Sequence, residues 1–211
     1  AHQRRTEATA KATEHLENMV KRIRSAGIRA HYLLMDSWFT MPATVTALAK
    51  HIDVIGMVKK SPKIFYRYNG HAMDLMNIYG KLKKRRGRAK ILASTLVQLK
   101  DGRVVKLVFV RDKRKKDWLA LLSTDTSLPD ADVVRIYGKR WDIEVFFKMA
   151  KQHLKLAKEI QCRDFDALIA HTSIVFMRYM FLAYQCRVET DHRTFGELFY
   201  LCCDEVSDIS F

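Results

Sequence analysis

The sequence predicts an α/β fold in which a basic, β-rich segment interrupts an α/β sheet and helices close the chain. Three observations predict it. Residues 1–55 alternate helix-period apolar positions with short apolar runs. Residues 56–122 are dense in β-branched and aromatic side chains and contain two Asx-Gly turn signals. From residue 123 onward the apolar period is helical. These three stretches are the expected domain parts: a first core part, a basic insertion and a second core part. At 211 residues, 48% hydrophobic and 29% charged, the chain can bury a real core without staples. Its 8 Gly and 3 Pro exclude collagen-like and linker-like classes.

The elements follow in order. Thr6 to Ala26 places Leu16, Met19, Val20 and Ile23 at helical spacing, and Gly27 stops the helix. His31 to Met35 is a short apolar run, read as a buried strand. Thr40 is expected to cap a helix that holds Pro42 in its first turn and runs to Lys50. Ile52 to Val58 is the next strand. Asn69-Gly70 joins Ile64–Tyr68 to His71–Leu75 as a hairpin, and Asp101-Gly102 joins Ile91–Leu99 to Arg103–Val110 as another. Trp118 to Leu122 reads as one more buried strand. One long helix is expected over Ser127–Lys155, a second over Asp164–Arg187, and a third from Thr194, where Thr194-Phe-Gly-Glu197 is a capping-box pattern.

Charge is the unusual quantity. The chain holds 38 Lys+Arg against 23 Asp+Glu, a net +15. Gly56 to Trp118 holds 19 of the bases and 4 of the acids, so this segment carries the whole excess. Its densest runs are Lys81–Lys90 and Arg111–Lys116. Such density on hairpin loops points to a polyanion, and specifically to a nucleic-acid backbone met by Lys83, Lys84, Arg85, Arg86, Arg88, Lys113, Arg114, Lys115 and Lys116. The competing reading is a solvated loop that keeps the protein soluble.

Cys162, Cys186, Cys202 and Cys203 form no C-x-x-C pair, and the 8 His form no metal-spaced pair. They read as reduced thiols and scattered imidazoles of a cytoplasmic protein, not as a zinc site. No apolar signal region opens the chain. The most apolar stretch, Ala167 to Cys186, contains His171 and Arg178, so it reads as a buried core helix and not as a membrane span.

Two carboxylates stand out. Asp36 follows the apolar strand 31–35, and the carboxyl end of a strand is where α/β sheets place chemistry. On the expected long helix, Tyr137, Arg140, Glu144 and Lys151 project within about 60° of one another. Lys148 and Lys155 share that side, and Ile136, Ile143, Phe146, Phe147, Ala150 and Leu154 form an adjacent apolar face. A solvated i, i+4 pair of Arg140 with Glu144 is the bland alternative.

Tyr137-Gly-Lys-Arg140-Trp-Asp-Ile-Glu144, followed by Lys151, matches Y-x2-R-x3-E-x6-K at every fixed position. Leu33-Leu-Met-Asp36-Ser-Trp-Phe39 is similar to the surroundings of a second catalytic Asp. On these residues the chain resembles DDE transposases of the insertion-sequence-four type, the group that includes the Tn-five transposase. The resemblance covers about Arg29 to Lys155. It implies a ribonuclease-H-like fold with a β-rich insertion between the second Asp and the Glu. It implies that Asp36 and Glu144 hold catalytic Mg²⁺ or Mn²⁺ and face one another across a cleft. Tyr137, Arg140 and Lys151 would hold DNA phosphates near the cut. The partners it implies are transposon-end and target DNA, with a homodimer in the DNA complex, in a bacterial cytoplasm. In related hairpin-forming enzymes an aromatic residue of the insertion stacks on a flipped base, which makes Trp118 a candidate. Its other reading is a cap on a buried strand. Trp38 and Trp141 are expected to wall the site.

The chain departs from the family pattern in one respect. The family needs three carboxylates, and residues 1–35 contain no Asp; their acids are Glu7, Glu14 and Glu17, all on the expected first helix. The first sheet strands are not visible either. The expectation is an incomplete ribonuclease-H-like sheet beginning after its first catalytic strand, with an exposed edge and no nicking activity of its own. A truncated or domesticated DNA-binding remnant without catalysis is the alternative function.

Overall fold

The computed structural model describes residues 11–112, 117–156, 160, 161, 163–186 and 197. The chain divides into two compact units between Arg140 and Trp141. The expected third helix, its capping box and the run Lys113–Lys116 lie outside the described residues, apart from Glu197, which is helical.

In the first unit, helix α1 (Ala12–Ser25) precedes strand β1 (Tyr32–Met35), helix α2 (Pro42–Leu48) and strand β2 (Asp53–Val58). Strands β3 (Phe65–Tyr68) and β4 (His71–Asp74) form the first hairpin. Its turn residues Asn69 and Gly70 both take positive φ, at 50° and 81°, as a type I′ turn requires. Helix α3 (Leu75–Lys81) follows at once. Asp74 starts it, its carboxylate accepting the Asn77 N–H at 2.9 Å. This helix was not expected from the sequence. It is only two turns long, and its capping Asp is also the last residue of a strand. Strands β5 (Ile91–Gln98) and β6 (Val104–Asp112) form the second hairpin, and β7 (Asp117–Ser123) and α4 (Asp130–Gly138) complete the unit.

All seven strands share one sheet, in the order β1-β2-β7-β6-β5-β3-β4. Among the described strands only β1 and β2 pair in parallel, with Met35 opposite Gly56. β7 joins β2 antiparallel from Ile55↔Ser123 to Val58↔Ala120, so the basic segment extends the sheet begun by β1 and β2. Among the described residues β1 is an edge strand. Side-chain alternation builds two cores. Val54, Val58, Val105, Leu107, Phe109, Trp118, Ala120 and Leu122 point to the face covered by α1, α2 and α3. Ile55, Val108, Val110 and Leu121 point to the face covered by Val133 of α4. Each fully buried aliphatic chain contributes about 1.5–3 kcal/mol, which suffices to hold strands of few residues in register.

In the second unit, α5 (Asp142–Gln152) packs on α6 (Phe165–Gln185) through Phe146, Ala150, Leu154, Val175 and Leu182. Phe146 stands edge-on to Tyr179, with ring centres 4.7 Å apart. The buried-core reading of the apolar stretch holds for one stripe only. Val175 and Leu182 are buried, whereas Phe176, Met177, Met180, Phe181 and Tyr184 are exposed. The stretch is apolar on every face, so periodicity could not single out the packed one. By length and composition α6 could cross a bilayer, although Arg178 lies within it.

Candidate active site and nucleic-acid interface

Asp36 stands at the carboxyl end of β1, and its surroundings fix it through the backbone. Its Oδ1 accepts the N–H groups of Trp38 at 3.0 Å and Phe39 at 3.3 Å. Its own carbonyl accepts the Thr40 N–H at 3.2 Å and the Thr40 hydroxyl at 2.6 Å. Thr40, only 1% exposed, therefore does not cap α2 as expected; Met41 takes that position, without a side-chain bond. Oδ2 lies outside these bonds, and the side chain is exposed. The carboxylate is thus oriented and accessible. Trp38 beside it is 72% exposed.

The expected single helix over 127–155 is broken. α4 ends at Gly138, and a 3₁₀ turn occupies Lys139–Trp141 before α5 begins. A 3₁₀ turn advances 120° per residue rather than 100°, so its three residues change the register along the segment by about 60° relative to an unbroken α-helix. Tyr137 leans on the apolar face of the sheet, and the Arg140 guanidinium lies 5.9 Å from its ring centre. Glu144 and Lys151 are both on α5, seven residues apart and about 20° apart around its axis. Asp36, Tyr137 and Arg140 belong to the first unit, and Glu144, Lys151 and Trp141 to the second. Ile143 and Phe147, placed on the apolar face by the sequence, are exposed, whereas Phe146, Ala150 and Leu154 are buried as that face requires.

The basic run is divided by its partners. The Lys84 ammonium donates to the Gly80 carbonyl at 3.0 Å, capping the end of α3, and lies 4.8 Å over the Tyr79 ring. The Arg85 N–H donates to Leu92 O at 2.7 Å, and its guanidinium meets Asp130 at 3.4 Å. Lys83, Arg86 and Arg88 are exposed, with no carboxylate partner among the described residues. Trp118 lies in the core, 9% exposed. Tyr79 stacks on it at 4.4 Å, Phe109 meets it at 5.3 Å, and the Lys60 ammonium lies 3.9 Å from its ring centre. Of its two sequence readings, this position matches the buried one.

One polar cluster had no sequence signal beyond its residue types. The Tyr32 phenol donates to Asp125 Oδ2 at 2.9 Å, and Asp125 Oδ1 accepts the Ser127 hydroxyl at 2.6 Å and N–H at 3.0 Å. These bonds, led by the Ser127 hydroxyl, hold the Asp125 carboxyl below its ordinary range. Burial, then the Asp125 bond, raises the Tyr32 phenol. The cluster locks the loop after β7 to the start of β1.

A family model described as the transposase DDE domain matches residues 2–181, which include Asp36, the whole basic segment and Glu144. The chain belongs to the transposase DDE domain family. No curated protein and no solved structure matches it. Its mixed α/β build, with a seven-stranded sheet, agrees with such a domain. The family is one of enzymes, its substrate is DNA, and DDE transposases generally use divalent metal ions. Among the described residues of this transposase-family chain, no three His, Cys, Asp or Glu side chains are gathered where they could hold an ion.

Proposed function

We propose that the chain is the catalytic region of a cut-and-paste transposase of the insertion-sequence-four type, with a ribonuclease-H-like core, cutting and joining DNA strands at transposon ends. The observation that carries the reading is Asp36, an accessible carboxylate fixed at the carboxyl end of a parallel strand, in a chain whose family match also spans Tyr137, Arg140, Glu144 and Lys151. Asp36 and Glu144 are the residues that would hold Mg²⁺ or Mn²⁺, and carboxylate oxygens are the donors such hard ions prefer. An ion held there would supply Lewis acidity for activating the attacking oxygen and stabilising the leaving one. The remaining work falls to cations. Arg140, with its planar fork, grips a phosphate in bidentate fashion, and its place beside the Tyr137 ring restrains it. Lys151, on the Glu144 side of α5, adds a point charge for a neighbouring phosphate.

The test is a strand-nicking assay on duplex DNA carrying transposon ends, with Mg²⁺ or Mn²⁺, alongside DNA binding. Metal-dependent nicking lost in Asp36→Asn and in Glu144→Gln supports the reading. DNA binding without nicking under any metal, the outcome expected from the lack of an Asp in residues 1–35, supports the DNA-binding remnant for this chain. Neither binding nor nicking overturns both.

A further inference from the structure

The loop between α3 and β5, residues 82–90, is held from within by a side chain outside it. Arg111, on β6, donates from Nε to the Ala89 carbonyl at 3.1 Å and from Nη2 to the Gly87 carbonyl at 2.9 Å. Its own N–H donates to the Lys90 carbonyl at 2.8 Å. A guanidinium is suited to this because its donors lie in one plane at fixed angles, so two carbonyls are gripped at once. Gly87, with φ of 76°, provides the left-handed turn that brings both carbonyls inward. Arg85 fastens the same loop at two further points, to Leu92 and to Asp130.

Peptide planarity then sets the other side. In a trans peptide the N–H points opposite to the C=O. With the Gly87 and Ala89 carbonyls turned to Arg111, the N–H groups of Arg88 and Lys90 face away from it. Arg86, Arg88 and Lys90 are exposed and have no carboxylate partner among the described residues. A groove of about 470 Å³, lined by Arg85, Lys90 and Arg135, runs beside the loop. Arg85 and Arg135 in that groove are already paired, with Asp130 and Asp132. The charge without a carboxylate partner is therefore that of Arg86, Arg88 and Lys90, the last of which also lines the groove.

We propose that loop 82–90 is a preformed phosphate-binding loop for the DNA backbone, and that Arg111 is its positioning residue. Arg86, Arg88 and Lys90, with the outward amides, take the phosphates, while Arg111 touches none. The proposal rests on the DNA-binding reading above. Its physical basis is that a loop ordered before binding loses less conformational freedom on binding.

The experiment measures affinity of the full chain for a fluorescent 30-base-pair duplex over a salt series. Arg111→Gln should weaken binding about tenfold while leaving the slope of log K against log salt unchanged. Arg86→Gln and Arg88→Gln should each lower that slope by about 0.9. Arg111→Lys, able to hold one carbonyl, should fall between Gln and the native residue. Amide exchange at Arg85, protected by Leu92, reads loop order independently and should quicken in Arg111→Gln. Gly87→Ala is the second variant if Arg111→Gln does not fold; it keeps every charge, meets no atom within 4 Å, and strains only the turn. It should weaken binding with the slope unchanged. A slope lowered by about 0.9 in Arg111→Gln would make Arg111 a phosphate contact and overturn the positioning role. Native affinity in both Arg111→Gln and Gly87→Ala would overturn preformation while the DNA reading stands. No binding by the native chain would overturn both.

Discussion

Gly56 lies directly under Thr40: a Cβ at Gly56 would overlap the Thr40 hydroxyl oxygen and come within 2.7 Å of its Cγ2. That hydroxyl donates to the Asp36 carbonyl, so a glycine in the middle of β2 makes room for the bond that holds the turn after β1. Gly56→Ala should destabilise the first unit by about 1–3 kcal/mol, the usual result of overpacking. Thr40→Val, which keeps the shape and removes the donor, should lose about 1 kcal/mol, and Thr40→Ser should recover most of it. Urea unfolding of the four proteins checks the order. Equal stability of Thr40→Val and the native chain would detach the Asp36 turn from this bond.

Trp118 should behave as a core residue. Trp118→Ala removes the ring between Tyr79 and Lys60 and should cost about 3–5 kcal/mol in stability. At a temperature where the variant is folded, its DNA affinity should change little. A loss of affinity in a stably folded Trp118→Phe variant would favour base contact instead.

How much of this was legible depends on where the signals lay. Asn69-Gly70 and Asp101-Gly102 announced both hairpins because only residues tolerant of positive φ fill such turns, and Gly70 and Gly102 take φ of 81° and 85°. The strand before Asp36 was legible as an apolar run between polar neighbours. Helix α3 was not, because Asp74 serves both the strand and the cap. The 3₁₀ turn after α4 had no comparable signal: Gly138 is the last residue of the helix without a positive φ, the capping Lys139 is itself right-handed helical, and the apolar period continues through Phe146 and Ala150. Arg111 could not have been assigned from sequence, since nothing local distinguishes an arginine that grips carbonyls from one that faces solvent. The same holds for Thr40, whose partner is the carbonyl four residues before it and whose space is made by Gly56.

The Tyr32–Asp125 pair predicts a pH dependence with opposite signs at its two ends. The Asp125 carboxyl is lowered in the folded state, so its contribution is present above the unfolded carboxylate range, near 4, and is lost as pH falls through the folded value. The Tyr32 phenol is raised, so its contribution is present below about 10 and is lost as pH rises through the folded value. Tyr32→Phe should therefore flatten the alkaline limb of stability against pH, and Asp125→Asn should flatten both limbs. Melting temperatures measured from pH 3 to 11 report this. An alkaline limb unchanged in Tyr32→Phe would assign it to other groups.

Lys83 and Lys84 are neighbours with opposite expected roles. The Lys84 ammonium caps α3 through the Gly80 carbonyl and covers the Tyr79 ring, which itself stacks on Trp118. A cation at a helix C-terminus contributes about 0.3–1 kcal/mol, and an exposed cation over an aromatic ring about 0.5–1 kcal/mol. Lys84→Gln should accordingly lower stability by roughly 1 kcal/mol. Because its ammonium is spent inside the protein, the slope of DNA affinity against salt should hold. Lys83, exposed and without a carboxylate partner among the described residues, has no such work to do. Lys83→Gln should leave the melting temperature in place and lower the salt slope by about 0.9, one phosphate contact on duplex DNA. The two measurements separate charge that builds the loop from charge that meets the phosphates. If both variants lower the slope equally with no change in melting, the run acts as a diffuse positive cloud, and the contacts of Lys84 carry no weight in solution.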